Sequence, residues 1–277
     1  MLLAFSFHGF ESADVRWSGL RRRMYRESIR RCDGRWSVSH SAAAALAREL
    51  SLNCEEFELL PNGVDSKRFR PPIHADEIRR CLGLPCDRVV LLSVGHLKHV
   101  KGHDVLLDAI RRLGSTANGL CVVLVGDDQL DGALHRFAAE HLSHCDIRFV
   151  GQQDDVLPWC QSADIFVQPS RWEGCSNALL EAMSCGLPSI ASDTGGNRDL
   201  IKHERTGLLV QPDDASALAA AIRGLADEPM RRNCLGQAAR RWVIGRHDLN
   251  LTLVCYADRY HTLGKRIKSA ISGAQPA

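Results

Sequence analysis

From residue 88 onward the chain alternates short apolar runs with helical patterns, and this alternation constrains the fold more than any other feature. The runs are VVLLSVG (89–95), LCVVLVG (120–126), IRFVG (147–151), DIFVQPS (164–170), SIASD (189–193) and GLLV (207–210). They are short, rich in β-branched residues and mostly ended by Gly, Pro or Asp, so they read as buried parallel strands. Between the first two lies HDVLLDAIRRL, in which Val105, Leu106, Ala109, Ile110 and Leu113 fall on one helical face. Strands alternating with helices predict a doubly wound α/β sheet. After Val210 the strand pattern stops. DASALAAAIRGLA, MRRNCLGQAARRWVIGR and the stretch from 249 to about 268 read as helices.

The first 70 residues differ. LLAFSFHG is a candidate strand, RWSGLRRRMYRESIRRCDGRW (16–36) is arginine-rich and helical in pattern, and SVS and FELL are two more candidate strands. PNGVDSKRFRPP (61–72) has turn chemistry at Asn62-Gly63 and closes on two prolines, so it reads as a linker. The expected division is a partial N-terminal domain (1–68), a complete C-terminal domain (69–248) and a final helix (249–277) returning toward the N-terminal part.

Composition excludes several classes. A 45% hydrophobic content over 277 residues supports a packed core, and a net charge of +2 gives no global nucleic-acid signal. The segment MLLAFSFHGF lacks the basic start and small-residue cleavage site of a secretion signal, and the eleven cysteines contain no C-x-x-C pair. The cysteines are therefore expected to be mostly buried, reduced and cytosolic. No apolar run approaches the roughly 18 residues of a membrane span.

The chemistry concentrates in PSRWEGCSNALLEAMSCGLP (169–188), where seven residues separate Glu173 from Glu181. Ser176 or Asn177 is the candidate N-cap, and Gly186 followed by Pro188 ends the helix. Asn177, Glu181 and Ser184 share one stripe, with Leu179, Leu180 and Met183 on the other faces. Such a stripe is either a solvated helix face or a ligand face. The preceding strand places this helix start at the carboxyl edge of the sheet, where open α/β sheets bind ligands. A helix N-terminus suits phosphate, and ionised carboxylates suit hydroxyl groups. Phosphate together with many hydroxyls describes a nucleotide-sugar.

The segment EGCSNALLEAMSCGLP resembles the E-x7-E segment of the family 4 retaining glycosyltransferases, which have the GT-B fold. In the same order, LLPNGVDSKRF resembles that family's interdomain crossing and LLSVGHLKHVKGHDVLLDAI its first strand, phosphate loop and helix. ASDTGGNRDLI and TGLLVQPDDASALAAAI resemble its downstream segments. The resemblance covers about residues 55 to 245, with a weaker match at HGFE. It implies that Glu181 binds the ribose hydroxyls and Glu173 the hydroxyls of the transferred sugar. Backbone N–H groups of Gly174, Cys175, Ser176 and Asn177 would hold the sugar and distal phosphate. Lys101 would contact the diphosphate, and the base would lie near Val150 and Gly151. His8 resembles a histidine that the family aims at the donor sugar; its other reading is a strand-end histidine in a turn. His96 departs from the pattern, standing where the family usually has arginine; it either faces the phosphates or faces water.

Other readings stay open. Asp127, Asp128 and Asp131 form an acidic cluster at a strand end, suited to a cation or to turn and cap duty. The chain has no D-x-D, which disfavours a metal-dependent transferase. Two glutamates also suit a glycosidase, but eight helical residues span roughly 12 Å, better matched to a nucleotide than to one glycosidic bond. Segment 16–36 carries eight arginines against Glu27 and Asp33. It is either a solvated helix or an interfacial helix attracted to anionic lipid.

The expected function is retaining, metal-independent hexosyl transfer from a UDP- or GDP-linked sugar to a glycan or lipid-linked acceptor. It would serve cell-surface glycan or glycolipid synthesis without a resident cofactor or nucleic-acid partner. The expected location is cytoplasmic, peripheral on the inner face of the membrane. The first βα units of a GT-B N-terminal domain, with its Gly-rich loop, are not found. The alternatives are therefore a non-catalytic nucleotide-sugar-binding remnant, or a phosphorylase or epimerase of the same architecture. The final helix is expected to lose packing partners.

Overall fold

The computed structural model describes residues 3–8 and 18–272, with side chains to 265. The N-terminal part builds a parallel sheet from β1 (Ala4–Phe7), β2 (Gly34–Ser37) and β3 (Glu58–Leu59), in that order. Two helices, α1 (Gly19–Arg30) and α2 (His40–Leu50), form the crossovers. The helix expected over 16–36 is thus shorter among the described residues. It stops at Arg30, where the N–H of Arg31 turns back to the carbonyls of Glu27 and Ile29. The chain then turns extended because Trp36, 2% exposed, is buried against the C-terminal helix. The expected SVS strand ends at Ser37, and Ser39 instead caps α2 by accepting the N–H of Ala42 at 3.0 Å. The sequence reading missed α2, whose buried face is Ala42, Ala43, Leu46, Ala47 and Leu50.

The rest of the chain runs α3 (Ala75–Cys81), β4 (Val89–Val94), α4 (His103–Leu113), β5 (Leu120–Val125), α5 (Ala133–His141), β6 (Asp146–Phe149) and α6 (Leu157–Ser162). It continues through β7 (Ile165–Gln168), α7 (Asn177–Ser184), β8 (Ser189–Ser192), α8 (Asn197–Leu200) and β9 (Leu208–Val210). Three helices close it: α9 (Ala215–Asp227), α10 (Pro229–His247) and α11 (Leu249–Ser272).

Every apolar run read as a strand is one. They form a six-stranded, all-parallel sheet of order β6-β5-β4-β7-β8-β9. This is the doubly wound Rossmann arrangement, with its switch point between β4 and β7. Helices cover both faces, which is why the strands read as continuous apolar runs. Leu91, Val122 and Leu124 pack with Leu106, Ile110 and Ile222 on one side. Leu92, Val123 and Phe166 pack with Leu179, Leu180 and Met183 on the other.

The chain crosses between the two sheets twice, side by side: Val64 N–H donates to His247 O at 2.8 Å, and Leu249 N–H to Val64 O at 2.9 Å. The expectation that the final helix loses its partners is corrected. Leu263 of α11 is 5% exposed against Trp36 and Leu60, Tyr256 donates to Leu60 O at 3.2 Å, and Arg259 pairs with Glu58 at 3.3 Å. Apolar residues on its other side, Leu251, Leu253 and Val254, are exposed.

The cysteines also differ from expectation. All eleven are free, but only Cys121, Cys160 and Cys185 are buried, and Cys54, Cys81, Cys86, Cys234 and Cys255 are exposed. Surface thiols in a helix or turn cost nothing that the hydropathy of cysteine would reveal. Among the described residues, no helix is long and apolar enough to cross a membrane.

Candidate functional site

Strands β4 and β7 lie side by side, so the loops that follow them meet at the switch point. The first loop, 95–102, ends at Gly102, whose φ is +68°. A Cβ there would stand 2.0 Å from Pro169 O, so only glycine lets the two loops touch. Lys101 thereby reaches across, with its Nζ 2.7 Å from Glu173 Oε1. Ser170 Oγ donates to the same oxygen at 2.7 Å. Glu173 is 7% exposed, so this carboxylate needs both donors. Its backbone is fixed too. Gly196 N–H donates to Glu173 O at 2.8 Å, and a Cβ on Gly196 would fall 1.8 Å from Gly174 O.

Helix α7 starts immediately after. Ser176 is its N-cap, accepting the N–H of Leu179 at 3.2 Å and donating to Gln168 Oε1 at 2.8 Å. Asn62, from the first crossing, donates to Cys175 O at 3.2 Å and Asn177 Oδ1 at 2.8 Å. Gly174 is buried and Asn177 exposed. The exposed helix start leaves backbone donors and a positive dipole end for an anion.

Glu181 stands one turn along, partly buried, and its carboxylate has no hydrogen bond or ion pair among the described residues. Burial pushes its carboxyl up from 4.5 to about 7; Arg68 pulls it down and Asp155 pushes it further up. The solvated-stripe alternative fails at Ser184, which is fully buried and donates to Phe69 O at 2.7 Å. Val150 and Gly151 follow β6 on the same sheet edge. Gly151 O accepts the N–H of Gly126 at 2.9 Å, and Val150 O accepts Gln153 Nε2 at 2.8 Å.

The structure therefore brings Lys101, Glu173, Gly174, Cys175, Ser176 and Asn177 together, with Glu181 on the same helix. Two expected residues do not join them by contact. His96 is exposed, and among the described residues only its carbonyl is engaged, accepting the N–H of Lys98 at 2.8 Å. His8 is exposed beyond β1 with its ring 3.1 Å from Ser6 Oγ, and no hydrogen bond or ion pair links it to Lys101 or Glu173 among the described residues. Asp128 does turn duty, accepting the N–H groups of Leu130 at 2.9 Å and Gly132 at 2.8 Å. Among the described residues no cluster of three metal-ligating side chains occurs.

The sequence reading missed Asn62, Ser170, Arg171 and Gly196 as parts of the site. The Gly195-Gly196 pair gave a local signal as a doublet between a strand end and a helix, and Asn62 gave one only as a turn residue.

The family model for the group 1 glycosyl transferases matches residues 88–228. The lipopolysaccharide core biosynthesis mannosyltransferase LpsB of Rhizobium meliloti is 30% identical over 177 residues, 61% of this chain and 50% of the relative. A GDP-mannose-dependent α-(1-6)-phosphatidylinositol monomannoside mannosyltransferase of Mycobacterium tuberculosis is 31% identical over 255 residues, 86% of this chain and 64% of the relative. The chain spans about half the length of the curated relatives it matches. Among solved structures, the sucrose-phosphate synthase of Thermosynechococcus elongatus superposes with a TM-score of 0.84 at 27% identity, covering 95% of this chain and 68% of that one. Anabaena HepE in complex with UDP gives 0.85 at 20% identity, covering 94% and 72%, a likeness of fold alone. With its family match running from β4 to the end of α9 and its α/β fold shared with GT-B glycosyltransferases, this chain belongs to the group 1 glycosyl transferases.

Proposed function

We propose that the chain binds a nucleoside-diphosphate sugar at the switch point and takes part in transferring its hexose, with retention, to a glycan or lipid-linked acceptor. The observation that carries this reading is the Lys101–Glu173 pair at 2.7 Å beside the capped start of α7. A cation, a sugar-binding carboxylate and free helix N–H groups there match the two ends of a sugar diphosphate. Glu181 then takes the ribose hydroxyls, and Val150 and Gly151 border the base. The E-x7-E spacing of family 4 has its purpose here: one carboxylate for each sugar of the donor.

In the free chain Lys101 rests on Glu173. When the donor binds, the diphosphate takes Lys101, and Glu173 takes the hexose hydroxyls in exchange. As the anomeric C–O bond to the diphosphate breaks, negative charge grows on the leaving oxygen. Lys101 and the helix start stabilise that charge, so no metal is required. The acceptor oxygen bonds to the same face of the anomeric carbon, and its proton passes to the leaving phosphate. Mannosyl and galactosyl relatives are named for GDP-mannose, UDP-galactose and lipid-linked acceptors, which supports a UDP- or GDP-linked donor and such acceptors here. Residues 1–68 would face the acceptor.

Calorimetry against a panel of UDP- and GDP-sugars tests this reading. Glu181→Ala is expected to weaken both the nucleoside diphosphate and its sugar conjugate by about 1.5–3 kcal/mol. Glu173→Gln is expected to weaken only the conjugate, and to tighten the bare diphosphate a few-fold by releasing Lys101. Equal losses for both ligands in both variants contradict the assignment.

The location on a membrane inner face rests on α1. Leu20 is 71% and Met24 62% exposed, one turn apart, flanked by Arg21, Arg23, Arg30 and Arg31. The chain should co-sediment with vesicles rich in anionic phospholipid and not with zwitterionic ones, and replacing Leu20 and Met24 by Ser should abolish this. Equal sedimentation of both proteins would refute it.

A further inference from the structure

Arg171 lies two residues before Glu173, and its guanidinium joins three separate segments. NH1 and NH2 donate to the Asp104 carboxylate at 2.9 and 2.7 Å, in the first turn of α4. NH1 also donates to His99 O, in the loop that carries Lys101. Nε pairs with Asp213 at 2.8 Å, in the connection from β9 to α9. The backbone adds two more ties. Arg171 N–H donates to Val100 O at 2.8 Å, and Arg171 O accepts Thr194 Oγ1 at 3.1 Å. Its side chain is only 17% exposed. Two carboxylates face it, and they raise its pKa further, so it is charged throughout.

These contacts surround Lys101. His99 and Val100 precede it, Asp104 follows it, and all three are held by Arg171. The Lys101 ammonium has one partner among the described residues, Glu173, and by the reading above that partner is exchanged for diphosphate when the donor binds. A long, flexible lysine released from its partner has many rotamers. What keeps its backbone aimed at the α7 start is then the Arg171 clamp, whose guanidinium is already engaged by Asp104, His99 O and Asp213. The fork geometry matters, because a lysine at 171 offers no planar set of donors to serve Asp104, Asp213 and His99 O together.

We infer that Arg171 is a positioning residue for the diphosphate: it holds the 99–104 loop so that Lys101 stays opposite the α7 start in the donor-bound state. This rests on the donor-site reading, and the two are separable by experiment. The wild-type chain is first titrated with UDP and GDP and with the matching nucleosides. Arg171→Lys is expected to weaken the diphosphate about tenfold and leave the nucleoside within about twofold, since Glu181 lies beyond the clamp. In a Lys101→Ala background the same change is expected to have little further effect on the diphosphate, because the group it positions is gone. Asp213→Asn, which removes one arm from the exposed side, is expected to show the same pattern more weakly. Thermal melts establish that each variant is folded at the assay temperature. A purely structural role for Arg171 predicts instead equal losses for nucleoside and diphosphate, or full additivity with Lys101→Ala, and either result overturns the inference while leaving the donor site standing. A wild-type chain that binds neither diphosphate overturns both.

Discussion

Lys101→Ala is expected to destabilise the fold by about 3 kcal/mol and to weaken nucleoside-diphosphate binding by ten- to a hundredfold. The first effect follows from what is left behind. Glu173 is 7% exposed and shares one oxygen between Lys101 and Ser170. Removing the lysine leaves a buried carboxylate with one neutral donor, and breaking such a pair costs about 3–5 kcal/mol when both partners are fully buried. Lys101 is 24% exposed, so the lower end applies. Pairing the change with Glu173→Gln removes the orphaned charge and should restore most of the stability. It should not restore diphosphate binding. Urea denaturation of the two single variants and the double variant measures the first claim, and calorimetry the second. If the double variant is as unstable as Lys101→Ala alone, the pair is not what the lysine contributes.

Glu181→Gln is expected to move stability and binding in opposite directions. Burial raises the Glu181 carboxyl from 4.5 to about 7. The sign follows from proton counts. Between those two values the folded state keeps a proton that the unfolded state has released, so stability falls as pH rises through this window. Above it, at pH 8, the folded chain holds a partly desolvated charge. At about 1.4 kcal/mol per pKa unit, that cost is on the order of 3 kcal/mol. Glutamine carries no such cost. The variant should be more stable than the wild type by roughly 2–3 kcal/mol at pH 8 and about equal to it at pH 4. Binding runs the other way. Ribose hydroxyls donate to the ionised carboxylate, so wild-type nucleoside affinity should rise between pH 6 and pH 8, while the Gln variant binds weakly and nearly independently of pH. Urea midpoints at both pH values, with nucleoside titrations, check all of this. A pH-independent stability difference contradicts the buried-charge account.

How far the sequence led depends on the range of the interaction involved. The six-stranded sheet was legible because its inner strands β5, β4, β7 and β8 are buried on both faces, and two-sided burial writes a nearly continuous apolar run into the chain, while the edge strands β6 and β9 were legible from the alternation around them. The Ser176 cap and the Gly186 stop were legible for the same reason of locality: both are decided within one helical turn. Helix α2 was missed because an alanine-rich segment has little contrast between its faces, and its Ser39 cap was absorbed into a neighbouring strand pattern. The 16–36 helix was drawn too long because the burial of Trp36, which pulls residues 34–37 into a strand, depends on Leu263 far along the chain. Asn62 bonds to residues more than 110 positions away, and Arg171 reaches back to Asp104 and forward to Asp213. No local pattern encodes such ties. Neither His8, taken from the family resemblance, nor His96, which departs from it, has a contact among the described residues that singles it out.

The donor is expected to sit at the edge between β4 and β7. Hydrogen exchange of the intact chain, with and without saturating UDP or GDP, tests it most directly. The amides in 96–102 and 174–179 are expected to be protected, with the groove at the opposite sheet edge, lined by Pro71, Gly186 and Arg240, unchanged. Binding that protects the opposite edge, or that leaves both loops exchanging as in the free chain, would contradict this placement.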